Sequence, residues 1–266
     1  MKRIACLFTA ELSHRLTLLR RYALGTAADV LTFYLVFVGV HFSIRSIVGE
    51  VGAADLQRLA TSQVVGFLAF YFASMVLSSI GNSLRGGVEE GTLEQLFLAP
   101  HPFLLVLGAR LLSTFLIDIL RVIPLFFLLT ATTGVRIAFT PAGLLIFFVL
   151  LVGVYGFAVL LGGLTLLFKR TGQLPFLFQV LFLGLGFSSF DGASSTFRAV
   201  ASVLPFARGV ALLKSTAVDP GPIGSVVASA GFLELGLNAL GYVLIGVLFF
   251  AWSERVAKDR GLLGRY

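Results

Sequence analysis

Long apolar runs separated by short polar links recur along almost the whole chain. Six stand out: Thr26–Ile47, Thr61–Leu84, Phe103–Thr130, Pro141–Phe168, Leu174–Phe190 and Gly231–Trp252. A run of about 18 or more apolar residues is longer than an ordinary core helix and matches the hydrocarbon thickness of a bilayer. The runs are rich in Leu, Phe, Val and Gly rather than alternating polar with apolar, which predicts helices and not barrel strands. The fold class expected is all-α: a polytopic membrane protein with six transmembrane helices, the fifth of them short. After the fifth, Phe197 to Lys214 mixes apolar residues with Arg198, Arg208 and Lys214 and is broken by Pro205. It is predicted as a surface or re-entrant helix inside an outer segment of about 191–222, not as a seventh span.

Ahead of the first run, residues 1–24 predict an amphipathic interfacial helix. Ile4, Phe8, Leu12, Leu16 and Leu19 recur at helical spacing, and Lys2, Arg3, Arg20 and Arg21 supply charge for anionic head groups. Glu11 and Arg15 fall near the apolar stripe, but their i,i+4 spacing, acid first, makes a favourable pair. The transmembrane domain then occupies 25–266. With the N-terminus inside, the inner segments carry Lys2, Arg3, Arg15, Arg20, Arg21, Arg85, Lys169, Arg170, Arg255, Lys258, Arg260 and Arg265. The outer ones carry Arg45, Arg58, Arg136, Arg198, Arg208 and Lys214. Twelve cations against six predict a multi-pass protein of the inner or plasma membrane with both termini cytoplasmic, ending in a tail of about 253–266.

Composition agrees with this picture. Hydrophobic residues make up 58% and charged ones 12% of the 266, where a soluble domain carries about 25% charged. A net charge of +7 would suggest nucleic acid in a soluble protein, but here the cations lie in links beside apolar spans, so no nucleic-acid partner is expected. Cys6 is the sole cysteine, which excludes an intrachain disulfide. Glu11 interrupts the first apolar stretch and no small-residue cleavage site follows, so no signal peptide is read.

The polar link after the second run is the most informative. It reads Arg85-Gly86-Gly87-Val88-Glu89-Glu90-Gly91-Thr92-Leu93-Glu94-Gln95-Leu96-Phe97-Leu98-Ala99-Pro100. Thr92 with Gln95 fits a capping box, and Pro100 biases Ala99 away from helical geometry. A short helix of about 89–100 is predicted, with Leu93, Leu96 and Phe97 apolar and Glu89, Glu90 and Glu94 acidic. Acids on a face otherwise rich in cations do not serve the positive-inside rule; they suit docking of something basic. The chain has no G-x-x-x-x-G-K-[ST] phosphate loop, and His14, His41 and His101 are far apart, with no Ser/His or Cys/His arrangement suggested by spacing. No catalytic set, metal or cofactor is expected on this chain.

The segment Glu90-Gly91-Thr92-Leu93-Glu94-Gln95-Leu96, closed by Ala99-Pro100, resembles the cytoplasmic signature of ABC type-2 exporter permeases. The tail Glu254 to Tyr266 is similar to the basic tail of many members, and the layout of an N-terminal amphipathic helix and six spans is similar too. The resemblance implies that Glu89, Glu90, Gly91, Thr92, Leu93, Glu94, Gln95, Leu96 and Pro100 form a coupling helix in a groove of a separate ATPase. It also implies a transport subunit rather than an enzyme. Its partners would be two copies of an ABC ATPase that bind ATP and Mg, a second permease subunit and membrane lipids.

Ionisable residues inside spans are costly and mark function or pairing. Asp118 and Arg121 sit i,i+3 in the third span, as part of a translocation surface or a subunit interface, or as a self-neutralising pair; Glu234 and Asn238 sit i,i+4 in the sixth, as an exit route. Asp29 is expected to pair with Arg20, Arg21 or a lipid head group, and Arg110 to reach lipid phosphates. Glycines at 153, 156, 162, 163, 184, 186, 236 and 241 permit close helix approach. A secondary transporter or channel would use Asp118, Arg121 and Glu234 for ion coupling instead, and a haem-exporter-type permease subunit has a similar loop.

Overall fold

The computed structural model describes residues 2–48, 52–89, 103–137, 139–168, 173–188 and 201–259. Among them there is no strand. The helices are α1 (Lys2–Arg21), α2 (Ala23–Val48), α3 (Ala53–Glu89), α4 (Phe103–Thr133), α5 (Pro141–Leu167), α6 (Leu174–Phe187), α7 (Ala207–Val218), α8 (Ile223–Val227) and α9 (Ala230–Asp259). Five contain stretches long and apolar enough to cross a bilayer: Ala23–Ile47, Ala54–Ser79, Leu112–Thr133, Pro141–Leu167 and Ala230–Ala257. An all-helical, membrane-embedded protein follows from these lengths.

Local chemistry sets several boundaries. α1 ends on Arg20 and Arg21, cations at the carbonyl end of a helix, and Tyr22 alone separates it from α2. The predicted Glu11–Arg15 pair is present at 3.4 Å. α5 starts where Thr140 accepts the Gly143 N–H at 3.1 Å, with Pro141 in the first turn. α4 runs through Pro124, which has no N–H for the Leu120 carbonyl one turn back.

α6 departs from expectation. It has 14 residues, about 21 Å at 1.5 Å each, against a hydrocarbon core of about 30 Å. Beyond it, α7 and the turn at Leu204–Phe206 pack into the bundle against α3, α5, α6 and α9. The expected re-entrant helix is thus a buried element, with Phe206 stacked on Phe182 of α6 at 4.7 Å.

Contacts fix the helix directions. Phe33 meets Tyr71, Phe37 meets Phe67 and His41 meets Gln63, so α2 and α3 run antiparallel. α6 runs opposite to α3, because Gln179 reaches Ser78 while Gly186 lies on Gly66. Gly153, Gly156 and Gly163 of α5 lie on Ala239, Tyr242 and Phe249 of α9, so these two are parallel. The end of α3 at Glu89, the starts of α4 and α6, and the ends of α5 and α9 therefore share one end of the bundle. α3 is its centre: the span within it is 78% buried, against 11% in α2 and 22% in α9. Those two helices turn most of their apolar surface outward.

Candidate functional site

Glu89 is the last residue of α3. Glu90, Gly91, Thr92, Leu93, Glu94, Gln95, Leu96 and Pro100 lie outside the described residues, as do 189–200 of the outer segment and 260–266 of the tail. Residues 253–259, expected as tail, continue α9 as helix.

The polar residues of the third span do come together. Asp118 is 2% exposed, and its Oδ1 lies 3.6 Å from Arg121 Nη1. Its Oδ2 and Arg121 Nε have no hydrogen-bond partner among the described residues. One face of α4 carries Asp118 inward to α3 and α5, where Tyr71 and Tyr155 feel its charge, and Arg15 of α1 acts on it from the other side. Asp29 also acts on Tyr71 and is exposed on α2. Arg121 is partly exposed and lines a groove of about 580 Å³ between the α1–α2 junction and α4, beside Leu19, Thr26, Val30 and Pro124. Within this group the Asp118–Arg121 pair is the direct contact, and both of its residues lie on α4. Among the described residues no three His, Cys, Asp or Glu side chains form a metal site.

Glu234 has a partner that its sequence neighbours do not reveal. It pairs with Arg208 at the start of α7. One and two turns on, Asn238 donates to the Val203 carbonyl at 3.1 Å, and the Tyr242 hydroxyl donates to the same oxygen at 2.8 Å. Three residues on one stripe of α9 thus hold residues 202–208 against it. Spacing of i,i+4 identified the stripe but not what it grips.

A further polar contact is invisible to sequence reasoning. Lys214 of α7 is 7% exposed, and its Nζ donates to the Ser188 carbonyl at 2.9 Å. Ser188 caps the C-terminus of α6, so an ammonium meets the negative end of a helix dipole. The lysine stem crosses the point where α3 and α6 touch backbone to backbone: a Cβ on Gly66 would lie 2.0 Å from the Gly186 oxygen and 2.5 Å from Lys214 Cε. Glycine at both positions makes this approach feasible.

No protein-family model matches this chain, and no curated protein matches it.

Proposed function

We propose that this chain is the membrane-spanning permease subunit of an ATP-binding-cassette exporter of the type-2 class, docking on a separate ATPase through residues 89–100. The observation that carries the reading is the acidic segment Glu89 to Leu96, closed by Ala99-Pro100, between α3 and α4. The helix directions support it, because Glu89 and Phe103, which flank that segment, share an end of the bundle with the close of α9. With the Lys and Arg distribution, that end is the cytoplasmic one of an inner-membrane protein. In this reading α6 is the core of the fifth of six crossings, and α7 packs beside it.

The mechanism follows from rigidity. Two ATPase copies bind ATP and Mg and close; each pushes the coupling segment of one permease. α3 has 37 residues and α4 has 31, so a push at their cytoplasmic ends moves two stiff rods. α3 carries that movement to the Gly66–Gly186 crossing, and α4 carries it to Asp118 and Arg121. A second permease subunit completes the membrane part of the complex. ATP hydrolysis belongs to the partner, and this chain supplies the path.

Co-purification of a phosphate-loop ATPase with this chain from native membranes tests the reading. Glu94→Arg puts a cation against a basic groove, and like charges across an interface cost several kcal/mol. Retention of the ATPase and transport-coupled ATP hydrolysis are each expected to fall more than about tenfold. Unchanged retention and turnover would end the docking role.

A further inference from the structure

α4 and α5 are joined by only residues 134–140, yet they do not pack closely on each other. They touch where Phe115 meets Phe148 and Tyr155, with ring centroids 6.3 and 6.4 Å apart. They touch again at the turn, where Phe126 meets Phe139 at 5.4 Å. Between these contacts lies a cleft of about 650 Å³, within the roughly 300–1,000 Å³ of ordinary ligand sites. Its back wall is central to the bundle: Val65, Ala69 and Phe72 of α3 and Leu213 of α7, all buried. Its rim is Ile123, Phe127, Phe139 and Phe148, all exposed.

Three properties define the occupant. First, the lining is apolar: among the described residues Thr140 is its single polar side chain, and that oxygen already accepts the Gly143 N–H. A polar solute would lose its hydration with almost nothing in return. Second, the cleft opens sideways between two apolar helices, so its entrance faces hydrocarbon rather than water. Third, its length is that of one leaflet. The twelve steps from Phe115 to Phe127 rise about 18 Å, and half of a hydrocarbon core of about 30 Å is about 15 Å.

A cation stands at the mouth. Arg136 lies in the α4–α5 turn, between buried Val135 and Ile137, which lines the cleft. It is exposed and has no ion pair among the described residues. We propose that the cleft binds one acyl chain of an anionic phospholipid from the leaflet on the α4–α5 turn side, with the lipid phosphate on Arg136. This goes beyond the exporter reading, and it holds whether the lipid is cargo or a resident of the site.

Native mass spectrometry of the full chain in detergent, with phosphatidylglycerol or phosphatidylcholine of the same acyl chains, tests it. One retained lipid per chain is expected, with phosphatidylglycerol favoured about fivefold, the effect of one surface cation on an anionic lipid. Arg136→Gln should abolish the preference and keep the lipid; Ala69→Leu, which fills the cleft from its back wall, should lose the lipid. A retained preference in the first or a retained lipid in the second overturns the proposal. A second measurement does not depend on filling a core position. In Ile119→Trp combined with Trp252→Phe, phosphatidylglycerol with brominated chains should quench fluorescence saturably, near one equivalent. Quenching that rises only in proportion to bulk lipid would also overturn it.

Discussion

Replacing Gly156 with leucine is expected to leave little folded protein to purify, whereas the same change at Gly241 should be tolerated. A Cβ on Gly156 would lie 2.5 Å from the Val243 nitrogen and 2.6 Å from the Tyr242 carbonyl carbon, and a Cβ on Gly246 would lie 2.2 Å from the Gly156 oxygen. These obstacles are backbone atoms, which cannot rotate away as a side chain does. α5 and α9 would have to separate along the most extensive helix pair of the bundle. In a membrane their association depends on such close packing, since lipid is as apolar as leucine. Overpacking costs about 1–3 kcal/mol even where side chains can yield; against backbone the cost is expected to be about 3 kcal/mol or more. Gly236 and Gly241, on the same helix, have nothing within 4 Å of an added Cβ. Substitution there removes a flexible residue from a helix and is expected to change stability by less than about 1 kcal/mol. Folded yield and thermal midpoint by size-exclusion chromatography measure both. Equal behaviour of Gly156→Leu and Gly241→Leu would show that the close approach does not govern the pairing.

That contrast marks how far the sequence was legible. The crossing helices were readable because one quantity, apolar length against bilayer thickness, dictates them, so α2, α3, α4, α5 and α9 lie where the runs lie. Pairs within one helix were equally readable: Glu11 with Arg15 and Asp118 with Arg121 need only the helical pitch. Contacts between helices were not. Gly156 and Gly241 have the same apolar neighbourhoods in the sequence, and only the meeting of α5 with α9 distinguishes them. Glu234 was read with Asn238, four residues away, but its charge partner Arg208 lies 26 residues back. Lys214 reads as an outer-segment cation until α7 is seen turned inward, with the ammonium on the end of α6. The described part of α6 stops at Phe187, with Ser188 as its cap, and residues 189 and 190 of the predicted span lie outside the described residues.

Asp118→Asn is expected to damage the protein more than the double change Asp118→Asn with Arg121→Gln. The carboxylate is 2% exposed, and among the described residues its one charged neighbour within 4 Å is Arg121, one turn along the same helix. Removing one member of a buried ion pair leaves the other charged and uncompensated, at about 3–5 kcal/mol for a fully buried partner. Arg121 retains access to the groove beside Pro124, so the single substitution is expected to cost less, about 2 kcal/mol. Removing both charges exchanges the pair for two neutral amides and should return stability to within about 1 kcal/mol of the wild type. Expression and thermal midpoint in detergent give the comparison, and transport by the double variant separates two roles. A pair that only holds α4 in place lets a stable double variant transport normally. A pair that contributes to the path leaves the double variant folded and inactive. Equal loss of stability in the single and double variants would mean that Asp118 acts through something other than Arg121. The buried hydroxyl of Tyr71, which feels both charges and has no hydrogen-bond partner among the described residues, would then be the group to test next.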